Sequence, residues 1–117
     1  MDRTDPALLA RARQALEAER RAVLEELAAE LDTPGPMTYG SQAAAASHVF
    51  EQQRDLALRE HNEQHLAAID AALARIENGT YGACTSCGKP IAPERLEALP
   101  WAALCIDCQR QAGTRRR

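Results

Sequence analysis

Two pairs of cysteines with the same internal spacing constrain this chain more than any other feature. Cys84 and Cys87 form one Cys-x2-Cys pair, Cys105 and Cys108 form the second, and 17 residues separate the pairs. Each pair places two thiolates on one tight turn, and four thiolates are a ligand set that Zn²⁺ takes in a closed tetrahedral site. Because protein fills all four positions, none stays open for a catalytic water. The spacing predicts one structural zinc ion bound by these cysteines.

Two other uses of paired cysteines fit the sequence less well. Disulfides are typical of secreted proteins, but the polar first residues do not resemble a secretory signal. A redox motif of the thioredoxin type needs one pair in a strand–helix–strand setting, and no strand-like alternation surrounds either pair. No apolar run approaches the ~18 residues that a membrane span needs. We therefore expect a soluble, cytoplasmic protein with no membrane association.

Small side chains dominate the rest of the sequence. The 117 residues include 24 alanines and four aromatic residues, which is too little bulk for a thick globular core. Alanine-rich segments favour helices that approach each other closely. The length allows one small domain, alone or with an extended element attached.

Two long helices are predicted before the cysteines. Asp5 and Pro6 form a helix start, because an aspartate caps the first turn and proline fits the first helical position. The first helix should span about residues 6–32, where Thr33–Pro36 ends it. Its apolar stripe is Leu9, Ala12, Leu16, Val23, Leu27 and Leu31.

The second helix should span about residues 41–78, with Ser41 as N-cap and Gly79 as a left-handed stop. Its apolar side is less regular. The short linker predicts an antiparallel hairpin (residues 1–78, tip about 33–46) whose longer helix overhangs at the end away from the turn. The apolar residues are Val49, Phe50, Ala57, Leu58, His65, Ala68, Ile69, Ala72, Leu73 and Ile76.

A cysteine module, residues 79–117, with a short C-terminal helix and a basic tail, should form the base of the hairpin. We expect it to cover the overhanging end of the second helix, which contains Ile69, Leu73 and Ile76. The covering side chains should be Leu96, Leu99, Trp101 and Leu104. The predicted fold class is thus mostly α: a long antiparallel coiled-coil hairpin on a small zinc-finger base with four cysteine ligands.

Charge and histidine content limit the other functions. Residues 1–78 carry eight arginines against 14 acidic side chains, whereas residues 79–117 carry six basic against three acidic side chains. An acidic rod is a poor match to duplex phosphate. His61 and His65 are four residues apart but lack a third ligand, so we expect one half-buried seam histidine and one solvated histidine.

The segment from Gly79 to Cys108 resembles the DksA/TraR family of bacterial zinc-finger transcription regulators. The family signature is C-x2-C-x3-I-x3-R-x4-P-x4-C-x2-C, and the long hairpin before it also fits the family. The fixed positions are filled by Cys84, Cys87, Ile91, Arg95, Pro100, Cys105 and Cys108. Gly88 is expected to adopt the positive φ that closes the turn around the sulfur. Ile91 and Leu96 are expected to pack against the metal site, and Pro100 to stiffen the return to the second cysteine pair.

The resemblance implies a regulator that is not an enzyme. Family members bind RNA polymerase rather than DNA and insert the hairpin into the secondary channel, toward the active centre. We expect a monomer, and joint action with the nucleotide ppGpp stays open. Arg95 has two interpretations: an ion pair within the module or a contact between the base and its partner.

The hairpin tip departs from the family pattern. DksA opens its second helix with D-x-x-D-x-A, which falls without gaps on Ser41–Ala46, so both aspartates are replaced and only Ala46 agrees. The acidic tip chemistry is therefore expected to be absent. The candidate tip contacts are Met37, Tyr39, Ser41, Gln42, Ala44 and Ala46.

Two alternatives remain at the level of sequence. One is a zinc-stabilised interaction module, monomeric or dimeric, that docks on another protein. The other is a zinc finger that binds nucleic acid through basic side chains near the C-terminus, namely Arg110, Arg115, Arg116 and Arg117.

Overall fold

The computed structural model describes residues 5–31 and 42–115 of the chain. These residues form four helices in the order α1 (Pro6–Leu31), α2 (Gln42–Asn78), α3 (Pro93–Ala98) and α4 (Ile106–Arg115). The described part contains no strand, only one isolated antiparallel bridge between Ala83 and Pro90. The mostly helical fold class is confirmed. No helix in these ranges combines the length and apolar character that crossing a membrane requires.

Local capping explains where the described helix ends fall. The Asp5 carboxylate accepts a hydrogen bond from the backbone N–H of Ala7 at 3.0 Å, so α1 begins at Pro6 as predicted. At the other end of the hairpin, Gly79 follows α2 with φ +81°, which confirms the left-handed stop. The predicted end of α1 near Asp32 and the predicted N-cap Ser41 lie outside the described residues.

α1 and α2 pack against each other as an antiparallel pair. Polar contacts across the pair fix the register. In these contacts residue numbers rise along α1 as they fall along α2, so the two helices are antiparallel. At this register the end of α1 lies beside about residue 58 of α2. Three of these contacts are Arg13 with Glu77 at 2.6 Å, Arg20 with Asp70 at 2.8 Å, and Glu26 with Asn62 at 3.1 Å.

This register places the overhang of α2 at the connecting end of the hairpin. Residues 42–58 extend past the end of α1 by about 25 Å, at 1.5 Å per residue. The predicted overhang at the base is therefore wrong. The prediction assumed that a short turn levels the two helices at the tip, whereas the ion pair between Arg13 and Glu77 sets a register in which α1 begins about 9 Å beyond the end of α2 at the base.

The core of the hairpin is a seam with heptad spacing. On α2, Asn62, Ile69 and Ile76 are buried at intervals of seven, and on α1 Leu16 and Val23 repeat at the same interval. Ile69 and Leu16 are fully buried. Ile69 and Ile76 therefore pack in the seam with α1, rather than projecting beyond it as predicted.

The cysteine module continues the same core. Its buried side chains Tyr81, Ile91, Leu96 and Ala102 belong to one cluster with the seam residues. Leu99, Trp101 and Leu104 are half-buried against that cluster. The four side chains predicted to cover the end of the hairpin therefore do pack against the core.

The apolar side predicted for α2 is correct only in its second half. Val49 is 50% exposed, Phe50 73% and Leu58 51%, although all three were assigned to the packed side. Val49 and Phe50 lie in the part of α2 that extends past α1, so α1 cannot cover them. Leu58 lies level with the end of α1 and is covered only in part.

The register predicts different effects for two leucine-sized side chains on α2. Ile69→Ala should lower the free energy of unfolding by about 3 kcal/mol, because it leaves a cavity in the seam. Leu56→Ala is the matched control and should cost less than about 0.5 kcal/mol, because Leu56 is 56% exposed. Urea unfolding followed by circular dichroism measures both, and equal losses would contradict the register.

Candidate metal centre

The first cysteine pair lies on a tight turn that the backbone closes twice. The N–H of Cys84 donates to the carbonyl of Lys89 at 2.9 Å, and the N–H of Gly88 donates to the carbonyl of Cys84 at 2.9 Å. Gly88 has φ +78°, a left-handed conformation that side chains disfavour. This confirms the role predicted for Gly88, which is to let the chain return around the sulfur of Cys87.

The second cysteine pair lies at the start of α4. The carbonyl of Cys105 accepts the N–H of Gln109 at 2.9 Å, so Cys105 immediately precedes the helix and Cys108 lies in its first turn. One backbone hydrogen bond ties this half of the module to the first, from the N–H of Thr85 to the carbonyl of Ala103 at 2.8 Å. The two turns are therefore held face to face.

The four sulfur atoms match the dimensions of a tetrahedral zinc site. All four Sγ atoms lie within 4.8 Å of one another, and those of Cys87 and Cys105 are 3.7 Å apart. A tetrahedron with zinc–sulfur distances of about 2.3 Å has edges of about 3.8 Å. Among the described residues no other group of three or more metal-ligating side chains converges in this way. Cys84, Cys87, Cys105 and Cys108 would therefore hold the ion.

The protonation of this cluster also favours a bound cation. Backbone hydrogen bonds, first from Cys87 and then from Cys105, lower the pKa of the Cys84 thiol to about 6. Side-chain hydrogen bonds, first with Cys105 and then with Cys84, raise the pKa of the Cys108 thiol to about 12. Four sulfurs this close cannot all be anionic without a compensating charge. A divalent cation supplies it and would keep all four as thiolate ligands.

Two polar contacts hold the backbone between the cysteine pairs, one from within the module and one from the end of α2. The hydroxyl of Tyr81 donates to the carbonyl of Pro100 at 2.9 Å, and Nη2 of Arg75 lies 3.5 Å from the carbonyl of Ala102. Burial raises the pKa of Tyr81 and lowers that of Arg75, since both lose contact with water. Sequence reasoning missed both roles. The one available signal was a tyrosine in a chain with few aromatic residues.

Comparison with known proteins identifies the family. Residues 79–112 match the family model described as the prokaryotic dksA/traR C4-type zinc finger. The structure of transcription factor DksA2 from Pseudomonas aeruginosa superimposes on 97% of this chain and 89% of that chain, with 31% identity and a TM-score of 0.77. The chain belongs to the DksA/TraR family. It therefore carries the family's C4-type zinc finger, and zinc is its metal.

Relatives known from sequence match over shorter segments. The RNA polymerase-binding transcription factor DksA of Caulobacter vibrioides is 36% identical over 75 residues, which are 64% of this chain and 53% of the relative. The uncharacterized protein YteA of Bacillus subtilis is 46% identical over 66 residues, which are 56% of this chain and 28% of the relative. The chain thus spans about a quarter to a half of the length of these relatives.

Three family-signature positions lie outside the cysteines. Ile91 is buried, as its predicted packing role requires, and Pro100 is buried as well. Among the residues that the structure describes, none forms with the half-buried Arg95 the ion pair that one interpretation predicted. Its Nε instead donates to the carbonyl of Leu104 at 3.2 Å, one residue before the second cysteine pair. Arg95 also lines an open groove of about 420 Å³ on the module.

The two histidines occupy the environments expected of them. His65 is half-buried, its Nε2 lies 3.1 Å from a carboxylate oxygen of Glu19, and its ring meets the indole of Trp101 edge-on at 4.4 Å. His61 is exposed, with its ring 6.3 Å from that of His65. The prediction of one seam histidine and one solvated histidine is confirmed.

The predicted tip contacts lie largely outside the described part of the structure. Met37, Tyr39 and Ser41 are not among the described residues. Gln42 and Ala44 belong to the first turn of α2, and only their backbone is described. Ala46 is exposed, one turn further along the same helix.

Loss of a cysteine should remove the zinc and unfold the base of the molecule. In Cys105→Ser we expect bound zinc to fall from one ion per chain to near zero, because structural zinc contributes of order 10 kcal/mol to small modules. α1 and α2 should keep part of their helicity, since their seam does not need the metal. Thr85→Ser is the matched control, because Thr85 is exposed between two of the cysteines. Elemental analysis measures the zinc, and circular dichroism measures the folding. A Cys105→Ser variant that kept both its zinc and a folded base would contradict the assignment.

Proposed function

We propose that this chain binds bacterial RNA polymerase through the secondary channel and regulates transcription without catalysing a reaction. The observation that carries the proposal is the match to DksA2 along almost the whole chain, with a four-cysteine base and a projecting hairpin in one molecule. Relatives that match part of the chain, such as DksA of Caulobacter vibrioides, are RNA polymerase-binding transcription factors. The closed metal site leaves the zinc a structural role.

The dimensions of the molecule support insertion into a channel. The longest extent is 61 Å, and the 37 residues of α2 supply about 56 Å of it. The zinc finger widens the base, so the base would stay at the rim while the narrow end enters. In this arrangement the tip residues enter the channel first. Arg95, which lines an open groove on the base, is the proposed contact at the rim of the channel. The proposed tip contacts are Met37, Tyr39, Ser41, Gln42, Ala44 and Ala46.

Charge and packing favour a protein partner over DNA. Residues 1–78, which include the hairpin, have a net charge of −6. Arg13 and Arg20 already form ion pairs across the seam. Such a surface repels duplex phosphate. The seam also gives each helix a partner within the same chain, so we propose that the protein acts as a monomer.

Joint action with ppGpp would depend on the polymerase. An open groove of about 700 Å³ lies between Trp101 and the hairpin, and the carboxylates of Glu19 and Glu26 line it. These carboxylates repel phosphate, and the lining side chains that can carry positive charge are His61 and His65, so the groove does not favour the nucleotide without basic groups from a partner. Binding assays with and without ppGpp distinguish joint from independent action.

Binding to the polymerase is the direct test. We expect fluorescently labelled protein to bind purified core RNA polymerase with a dissociation constant of micromolar or below. The Cys105→Ser variant should bind at least about tenfold more weakly, because its base is unfolded. Absence of wild-type binding at about 10 µM polymerase would refute the proposal.

The tip can be tested separately. Ser41→Asp combined with Ala44→Asp restores the family's acidic pair and should strengthen the effect of the protein on promoter-complex lifetime. The affinity for polymerase should change less than about threefold, because other surfaces carry the binding.

Ala45→Asp is the control, since it adds a carboxylate on the same turn at a position outside the acidic motif. Equal lifetimes with the wild type, the double variant and the control would contradict a role for tip charge.

A further inference from the structure

A second apolar surface of α2 faces away from α1. It consists of Ala46, Val49, Phe50, Leu56 and Ala57, which we call the outer stripe. All five side chains are exposed, Phe50 by 73% of its surface. We propose that the outer stripe docks against an apolar wall of the polymerase. The inference rests on the proposed function and names the contact surface on the hairpin.

The heptad register separates the outer stripe from the seam. Continuing the buried series Ile76, Ile69 and Asn62 by seven residues leads to Asp55, not to Val49 or Phe50. Counted from that series, Val49 and Phe50 occupy the positions that point away from a partner helix in a two-helix coiled coil. The residues of the outer stripe therefore lie about 130–180° from the middle of the seam around the axis of α2.

The side of the projecting segment that continues the seam is polar. Beyond Leu58, the seam positions are Asp55, Glu51 and His48. The apolar side chains of this segment are gathered on the outer face instead. An amphipathic helix packs its apolar face against a partner. The sequence of residues 45–57 is therefore suited to a partner on the side opposite α1.

The area of the outer stripe argues against a second copy of the chain. Its three large and two small side chains expose roughly 400 Å² of apolar surface, whereas a stable interface buries about 800 Å² on each partner. Self-association through this surface alone would be weak. A larger partner that also contacts the base and the tip would bury additional area there, so the small area of the outer stripe does not exclude it.

Charge around the outer stripe favours an apolar contact. The projecting residues 42–58 carry Glu51 and Asp55 against Arg54, a net charge of only −1, which is too small to steer the segment toward a charged surface. Ala46 and Ala57 allow a close approach of the partner on either side of Phe50. Val49 and Leu56 are seven residues apart, with Phe50 as the aromatic anchor, and apolar anchors at such intervals are how a helix binds in an apolar groove.

The test replaces Phe50→Gln and Leu56→Gln together. The two changes keep a helix-compatible residue at exposed sites, so zinc content, helicity and unfolding midpoint should match the wild type. The dissociation constant for core RNA polymerase should rise at least about tenfold. Leu24→Gln is the matched control: Leu24 is 38% exposed on α1, outside the outer stripe, and should bind like the wild type.

Three results would overturn the inference, and they differ from one another. If the wild type and the double variant bind equally, the outer stripe is not the docking surface, although the proposed function stands. If the wild type does not bind polymerase, the proposed function and the docking surface fail together. If sedimentation equilibrium finds a wild-type dimer that the double variant abolishes, the partner is a second copy of the chain.

Discussion

Four sulfur atoms within 4.8 Å of one another are the constraint on which this structure depends. As thiolates they repel, and a divalent cation at their centre converts that repulsion into attraction. The module around them is small, with Tyr81, Ile91 and Leu96 as its main buried side chains. Structural zinc contributes of order 10 kcal/mol, comparable to the whole stability of a small domain. The metal therefore determines whether the base of the molecule is folded.

The folded base in turn determines the geometry of the hairpin. Arg75 and the buried side chains of the module join it to the end of α2, and the ion pair of Arg13 with Glu77 sets the register of α1 there. At this register α1 reaches about 9 Å past the end of α2 at the base, and α2 projects about 25 Å past α1 at the other end. The structure thus divides α2 into a paired half, which provides stability, and a projecting half, which is open to a partner.

The sequence predicted the parts of the fold that depend on local chemistry. The cysteine spacing indicated the zinc finger, and Gly79 and Gly88 were expected in the left-handed region that they adopt. The register of the hairpin could not be predicted, since it depends on contacts between residues about 60 positions apart, such as Arg13 with Glu77. Periodicity also merged two faces of α2, because it reports that side chains are apolar and not which partner covers them. The seam of Ile69 and the outer stripe of Phe50 were therefore interpreted as one surface.

X-ray absorption at the zinc edge tests the central claim most directly. The cluster of Cys84, Cys87, Cys105 and Cys108 predicts a first shell of four sulfur atoms at about 2.3 Å, with no nitrogen or oxygen ligand. It also predicts one zinc ion per chain. A shell with fewer than four sulfurs, or with a histidine nitrogen or a water oxygen, would contradict the closed structural site and the account of the fold built on it.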